Sequence, residues 1–400
     1  MTIDEPPTYP MARSTKCPFD PPPELRELGP LARIEAYGKP AWLVTRNADQ
    51  RKLLLDPRLS ADIGHPGFPI PAAEAAMLKS ANLDFGFVNM DDPEHGRLRR
   101  MVTAPFLHKR IEAMRPRVQQ LVDEMIDALL AGPKPADLVE ALATPLPSLV
   151  ICELLGVPYD DHAFFQHNTK ELVRVDAAPM ERVGALHNIV GYLDQLVGVK
   201  LGTPGDDLLS VLAERIQAGE LDRPDAVSIG VLMLLAGHET TANQIALGTT
   251  ALLEHPDQLA LLRDTEDPAV VAGAVEELLR YLNVTHQGRR RAILEDIEFG
   301  GQILPAGEGL VLPGDTGNRD PDLFEEPDRL DLTRDARGHL AFGYGIHQCL
   351  GAPLARMELQ VVYGTLYRRI PTLQLAVPLE DIPFKHDAEI YGVHALPVTW

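Results

Sequence analysis

Cysteine is scarce in this 400-residue sequence, and no two cysteines lie at a short spacing. Cys17, Cys152 and Cys349 are odd in number and far apart. A disulfide framework uses an even set of cysteines in an oxidising compartment, so the pattern favours a reducing cytoplasm. It also disfavours a structural zinc site, which takes four ligands, usually from paired cysteines.

Basic residues are outnumbered by acidic ones, and the sequence has no long apolar run. The chain has 37 Lys and Arg against 58 Asp and Glu, a formal net charge of −21. Nucleic-acid-binding proteins need a basic surface to neutralise phosphates, so this balance argues against that class. The proline-rich start has no apolar segment of a signal peptide, and no run reaches membrane length. With 45% hydrophobic residues, the composition is that of a soluble globular protein with a core able to enclose a cofactor.

Internal repeats, low-complexity tracts and clear linkers are also absent from the sequence. We therefore predict one domain over residues 1–400, although the length alone allows two or three. Seven prolines make residues 1–23 an extended arm without regular structure. The pattern of residues 33–46 predicts a β-hairpin. Helical periodicity follows, and we expect a fold that is mainly α with a minor β part.

The helical patterns share apolar spacing bounded by Gly or Pro, and they cover residues 94–130, 137–156, 161–200 (broken near 176–179), 224–254 and 268–282, with a last helix from Ala352. Between 224 and 254 the centre is apolar on every side, which marks a helix buried throughout. Glu239 and Thr240 are unfavourable there, because a buried carboxylate is costly and a threonine hydroxyl can bend a helix. From the helix alone, a kink satisfied internally and a functional site are equally supported.

Residues 342–356, FGYGIHQCLGAPLAR, place Cys349 in a glycine-rich loop just before the last helix. Glycines let a backbone turn tightly or lie against a ligand. The positive end of the helix favours a thiolate at Cys349. A lone thiolate suggests one soft ligand to one metal centre. Taken by themselves, however, these residues favour a buried, inert cysteine.

The same loop resembles the haem-binding signature of the cytochrome P-450 superfamily. The match covers nine positions: Phe342, Gly343, Gly345, His347, Cys349, Gly351, Leu354, Ala355 and Arg356. The resemblance implies a single-domain P-450 fold with haem b between the long central helix and the Cys-ligand loop. It also implies that Cys349 ligates the iron and that Phe342 packs beside the sulfur. This match reverses the preference for an inert cysteine.

The central helix resembles the oxygen-handling segment of the family at Ala236, Gly237, Glu239 and Thr240. The resemblance implies that Glu239 and Thr240 are the catalytic acid–alcohol pair that delivers protons for cleavage of O2. It therefore implies a monooxygenase rather than a peroxide-using or nitric-oxide-reducing relative. A haem-based sensor or carrier is the non-enzymatic alternative, against which the lack of a signalling domain weighs.

Motif positions also supply donors for the two haem propionates, which arginine suits through its planar fork. The residues that the resemblance places around haem are His95, Arg99, Ala236, Arg291, Phe342, His347, Cys349 and Gly351. Glu277 and Arg280 match the structural E-x-x-R pair of the family, with Arg329 as the third member. The alternative for this pair is an exposed ion pair on one helix face.

The substrate and the redox partners are less specified. Apolar segments at 61–89, near 174–180, at 283–286 and near Ile390 predict a lipophilic substrate such as a polyketide, macrolide, sterol-like compound or xenobiotic. Arg174, His286 and Gln287 are candidate polar anchors or surface residues. The resemblance is to bacterial members without an N-terminal membrane anchor, and it extends over nearly the whole chain.

No flavin or NAD segment is present, so electrons are expected from NAD(P)H through a ferredoxin reductase and a ferredoxin. The basic residues concentrate in one stretch of the chain, at Arg97, Arg100, Lys109 and Arg110. Such a patch is either a solvated face or a docking site for an acidic ferredoxin.

Overall fold

The computed structural model describes residues 6–14, 16–72, 74–75, 86–173, 179–386 and 388–400. Within them helices predominate, as predicted. The α-helices are Pro23–Glu27, Asn47–Leu54, Glu94–Val102, His108–Ala131, Pro145–Leu155, His162–Val173, Pro179–Gly202, Leu208–Gln217, Arg223–Glu254, Pro256–Arg263, Pro268–Tyr281, Gly314–Asn318 and Ala352–Arg369. Shorter helical turns are Gly86–Asn89, Ala104–Phe106, the π-helix Val139–Ala143, Tyr159–Asp161, Gly345–His347 and Leu379–Asp381. None of the described helices is both long and apolar enough to span a membrane.

The strands are β1 (Thr8–Tyr9), β2 (Leu31–Ala36), β3 (Lys39–Val44), β4 (Leu59–Ser60), β5 (Ala136–Asp137), β6 (Arg289–Ile293), β7 (Ile297–Phe299), β8 (Gln302–Leu304), β9 (Gly309–Leu312), β10 (Gln374–Leu375) and β11 (Pro397–Thr399). The described strands form sheets in the orders β1-β2-β3-β9-β6-β4, β10-β11-β5 and β7-β8. In the first sheet β2 and β3 form the predicted hairpin, with Ala36 opposite Lys39. Strand β9 separates β3 from β6 in this sheet. Arg289 of β6 contacts the Cys349 loop at Gly343.

The central helix, Arg223–Glu254, is the element around which the other helices pack. It contacts the helices Pro145–Leu155, Pro179–Gly202 and Ala352–Arg369. Most of its residues from Ala226 to Leu252 are buried, as its apolar pattern predicts. Pro224 lies in the first turn, where a missing N–H costs nothing, and Pro256 follows its last turn.

Two predicted boundaries were wrong. The pattern over 94–130 is not one helix, because Pro105 interrupts it and the chain forms Glu94–Val102 and His108–Ala131 separately. The pattern over 137–156 is divided among a strand, the π-helix and Pro145–Leu155. The predicted break near 176–179 falls mostly outside the described residues, since 174–178 are not among them.

The N-terminal arm is tied to the core more firmly than its prolines suggest. Thr8 and Tyr9 pair in parallel with β2, and Tyr9 is buried. The Arg13 guanidinium lies 2.9 Å from Asp315 Oδ2, with both side chains almost fully buried. The described part of the arm therefore includes a strand and a buried ion pair, so the expected lack of regular structure was wrong for Thr8 and Tyr9.

Candidate active site

The Cys349 loop turns sharply before the last helix. Gly343 and Gly345 have φ of 72° and 78°, a region that side chains other than glycine rarely adopt. The Cys349 N–H donates to the Phe342 carbonyl at 2.8 Å, which closes the loop on itself. A Cβ on Gly343 would lie 2.7 Å from Arg289 Nε. The glycines thus serve both the turn and the approach of an arginine.

Cys349 is exposed at its surface, yet protein surrounds it closely. Burial by that surrounding protein raises the pKa of its thiol. The Gly351 N–H and the guanidinium of Arg289 oppose this and lower the pKa. Burial thus opposes the preference for a thiolate expected from the helix terminus, and the thiolate at Cys349 stays a prediction. A bound metal ion would reverse that balance, since coordination deprotonates a thiol.

The central helix shows a similar local opening. Ala236 is exposed, whereas Leu232 and Met233, one turn earlier, are buried. An exposed alanine in the middle of a buried helix marks a space beside that turn. The prediction that Ala236 borders the haem requires such a space.

Imidazole and guanidinium groups cluster beside the Cys349 loop. The His95 and His347 rings have centroids 4.2 Å apart, and Arg99 Nη2 donates to the carbonyl of Gln348. Burial lowers the pKa of His347 to about 3, with further lowering by the charges of Arg291, His95 and Arg99. Burial also lowers the pKa of Arg291 to about 10. The structure thus brings together the four donors that the sequence predicted for the propionates.

Buried polar atoms without partners lie in this cluster, and an arginine among them fits an anionic group. Within the described part of the chain, buried His95 Nε2 has no hydrogen-bond partner, and neither has Arg289 Nη1. Arg289 Nη1 is always a donor, and a buried donor without a partner costs about 1–3 kcal/mol, so an acceptor is expected beside it. Two carboxylates on the edge of a haem, together with the Cys349 sulfur, match this donor set. The residues present therefore fit haem.

Arg289 is a functional candidate that the sequence analysis missed. It lies on β6, two residues before Arg291, and donates from Nη2 to the Ala341 carbonyl at 3.0 Å. Burial lowers its pKa to about 10, while Cys349 raises it. Alternate residues of a strand share one face, so the strand pattern could have paired Arg289 with Arg291.

Phe342 is held at the start of the loop by a charged clamp. The Arg356 guanidinium lies 4.5 Å from the centroid of its ring. Arg356 donates to Glu276 at 2.6 Å and 2.9 Å, and His339 Nε2 lies 3.1 Å from the same carboxylate. Burial raises the pKa of Glu276, but hydrogen bonds from His339 and Arg356 outweigh it and lower the pKa to about 2.

Thr240 and Glu239 lie in the middle of the central helix, which is continuous from Arg223 to Glu254. Thr240 Oγ1 donates to the Ala236 carbonyl at 2.7 Å, which is the back-bond predicted for it. The Glu239 carboxylate lies 3.6 Å from Lys385 Nζ. Burial raises the pKa of Glu239, and Lys385 lowers it. The sequence analysis missed Lys385, because no local pattern joins residues so far apart in the chain.

The buried E-x-x-R pair differs from its prediction in one member. Arg280 Nε and Nη2 donate to Glu277 at 2.6 Å and 2.8 Å, with both side chains fully buried. The third side chain is Arg334, whose Nε lies 3.2 Å from Glu277. Arg329 instead pairs with Glu326 at 3.5 Å on the surface. The prediction of Arg329 was wrong, because the chain turns its side chain outward and supplies only its carbonyl to Arg280.

The candidate polar anchors are mostly occupied. His286 Nε2 lies 2.7 Å from the Ala388 carbonyl, and Gln287 Oε1 accepts from Tyr37 at 2.7 Å. Both are therefore committed to holding backbone or neighbouring side chains. Arg174 and residues 76–85 of the long loop lie outside the described residues.

Half of the basic patch is neutralised locally. Arg97 pairs with Glu94 and donates to the Glu220 carbonyl at 2.8 Å, while Arg110 pairs with Asp206 at 2.6 Å. These contacts weaken Arg97 and Arg110 as free cations for a partner. Arg100 and Lys109 remain the better candidates.

The family model described as Cytochrome P450 matches residues 204–370. Cytochrome P450 GfsF of Streptomyces halstedii is 56% identical over 403 residues, covering 99% of this chain and 97% of the relative. The crystal structure of GfsF matches with a TM-score of 0.94 and covers 98% of this chain and 100% of that one. The mycinamicin VIII C21 methyl hydroxylase MycCI of Micromonospora griseorubida, bound to mycinamicin VIII, is 38% identical with a TM-score of 0.88, covering 98% and 100% of the two chains.

Proposed function

Since this chain belongs to the cytochrome P450 family, we propose that it inserts oxygen into a macrolide-type secondary metabolite. As a member of the family it is a haem-dependent monooxygenase. The observation that carries the substrate class is the fold shared over nearly the whole chain with a hydroxylase crystallised with mycinamicin VIII. The apolar side chains of Leu232 and Met233 beside Ala236 are compatible with a lipophilic molecule.

We assign the cofactor contacts to the cluster beside the Cys349 loop. His95, Arg99, Arg291 and His347 would bind the propionates, joined by Arg289. Cys349 would ligate the iron, with Phe342 and Gly351 packed beside it. Haem held by a thiolate supplies the activation of O2. The protein contributes the charges that hold the group and a water-poor surround.

We assign proton delivery to Thr240 and Glu239. The Thr240 hydroxyl donates to the Ala236 carbonyl but keeps two lone pairs that can accept from a water. Glu239 is mostly buried, with its side chain 22% exposed, so it can exchange protons between solvent and the interior. Together they would move protons to the reacting oxygen in a space that bulk water does not fill.

We place the ferredoxin on the surface beside the Cys349 loop. Ile346 is 50% exposed and Leu55 is 59% exposed, and Leu55 lies against Gly345. Apolar contact next to the ligand loop, with Arg100 and Lys109 on a neighbouring stretch, suits an acidic iron–sulfur protein. Charge reversal of Arg100 and Lys109 to Glu should slow ferredoxin reduction of the haem several-fold at low salt. Reversal of Arg110, already paired with Asp206, serves as the matched control, and equal rates in all variants would contradict the docking site.

The substrate class is tested by optical titration of the purified ferric protein. The panel comprises macrolides, sterol-like compounds and small aromatic xenobiotics. A substrate that binds beside the haem would shift the iron from low to high spin, so a saturable shift with macrolides is expected. A shift confined to another class would overturn the macrolide assignment while leaving the monooxygenase intact.

A further inference from the structure

A hairpin near the C-terminus lies against the central helix. It runs from Phe384 to Val393, which form an isolated antiparallel bridge. The Lys385 N–H donates to the Gly392 carbonyl at 2.9 Å, and the His394 N–H donates to the Pro383 carbonyl at 2.8 Å. These bonds fix the two arms of the hairpin to each other, with residue 387 outside the described residues.

Asn243 is the point at which this hairpin meets the central helix. A Cβ on Gly392 would overlap the Asn243 side chain, so the backbone at 392 and the amide are in direct contact. Asn243 Nδ2 also donates to the Glu239 carbonyl at 2.9 Å. On the other side, the Tyr391 N–H donates to the Val284 carbonyl at 2.7 Å. The hairpin is therefore docked one turn away from Glu239.

This docking places a lysine over the Glu239 carboxylate. Lys385 Nζ lies 3.6 Å from Glu239 Oε1, and the side chains are only 16% and 22% exposed. The other charged groups that act on Glu239 are Glu389 of the same hairpin and Arg182 of the helix Pro179–Gly202. Burial raises the pKa of Glu239; Lys385 and Arg182 lower it, and Glu389 raises it.

We propose that Lys385 is a positioning residue that, through this mostly buried ion pair, holds the Glu239 carboxylate in place for proton exchange. The inference rests on the proton-delivery role proposed for Glu239. Lys385 keeps its own proton throughout. Glu239 takes a proton from solvent water and passes it inward, and the lysine charge favours the return of the carboxylate to its ionised form.

The hairpin carries an internal control for this idea. The Glu389 carboxylate forms an ion pair with Arg290 of β6 at 2.8 Å. It acts on Glu239 only through its negative charge. Removing the Lys385 charge should raise the pKa of Glu239, whereas removing the Glu389 charge should lower it. A general disturbance of the hairpin would not move the pKa in opposite directions.

The test measures product formed per NADPH consumed, and kcat, against pH in Lys385→Met, Lys385→Arg, Glu389→Gln and Glu239→Gln. Lys385→Met should move the acid-side midpoint up by about one pH unit, because the charge at this distance favours the ionised form. Lys385→Arg should restore the wild-type midpoint, and Glu389→Gln should lower the midpoint slightly. Haem absorbance and the substrate-induced spin shift, measured in each variant, show that the fold and the pocket are intact.

The outcomes separate two kinds of failure. A changed profile in Glu239→Gln with an unchanged one in Lys385→Met would overturn the role of Lys385 alone. An unchanged profile in Glu239→Gln would overturn the proton-delivery role on which the inference rests. If the Lys385→Met shift persists in the Glu239→Gln background, Lys385 acts on another group and the inference is wrong.

Discussion

Arg280 offers the sharpest test of how this fold holds the segment from Asn318 to Arg329. Its guanidinium donates to both Glu277 oxygens and to the carbonyls of Asn318, Pro327 and Arg329, at 2.6–3.2 Å. Replacing Arg280 by Leu leaves Glu277 charged in the core, and its remaining donors among the described residues are Arg334 and the Asp331 N–H. It also leaves three backbone carbonyls without this donor.

The expected cost follows from burial. Removing one partner of a buried ion pair costs about 3–5 kcal/mol, because the other charge stays desolvated. We therefore expect Arg280→Leu to lower the free energy of unfolding by about 4 kcal/mol, a large part of a typical domain stability of roughly 5–15 kcal/mol. Arg280→Lys keeps the charge but loses the planar fork of the guanidinium. Its free energy of unfolding should lie between those of the wild type and Arg280→Leu.

Arg329→Gln is the matched control within the same network segment. Its pair with Glu326 is exposed at 61% and 69%, so its removal should cost less than about 1 kcal/mol. The loss of stability in Arg280→Leu and in Arg329→Gln is measured by urea unfolding of the haem-loaded proteins, followed by circular dichroism and haem absorbance. If Arg280→Leu and Arg329→Gln unfold at the same urea concentration, the buried network does not stabilise the fold as argued. The Glu277→Leu/Arg280→Leu double variant should cost less than the sum of the single ones.

Two further predictions concern Glu276 and Thr240. The pKa of Glu276 is about 2 in the folded protein against an ordinary 4.5, so its stabilisation is complete above about pH 4.5 and is lost as pH falls towards 2. The stability difference between wild type and Glu276→Gln, measured by acid unfolding, should therefore narrow over that range, and a constant difference would contradict the assignment. Thr240→Ala should consume NADPH with a several-fold lower yield of product, whereas Thr240→Ser should not; unchanged coupling in Thr240→Ala would remove the proposed role of the hydroxyl.

The sequence predicted best where one short stretch contains all the interacting groups. The Cys349 loop was predictable because its glycines, cysteine and following helix lie within fifteen residues of Phe342–Arg356. The central helix was predictable because burial on every side leaves an apolar pattern that few other structures share. The confirmed mainly helical fold follows from the same local periodicity.

Long-range pairings were not predictable in this way. Arg329 and Arg334 are both arginines after the same turn, and only the path of the chain decides which one meets Glu277. Lys385 and Glu239 are brought together by a hairpin docked through Gly392 and Asn243, a contact that no spacing in the sequence signals. Proline at 105 did signal a helix end, but the strong periodicity on both sides of it concealed the break.

The cations around the Cys349 loop show how an acidic chain can still be specific for an acidic ligand. Burial lowers the pKa of Arg99, Arg289 and Arg291, which means that the folded protein destabilises their charges. Described carboxylates do not neutralise Arg289, whose Nη1 has no partner in that part of the chain. An anionic cofactor that binds there restores the lost solvation and stabilises the folded state over the unfolded one. The net charge of −21 repels other polyanions at long range, while these local charges would bind the proposed propionates at close range.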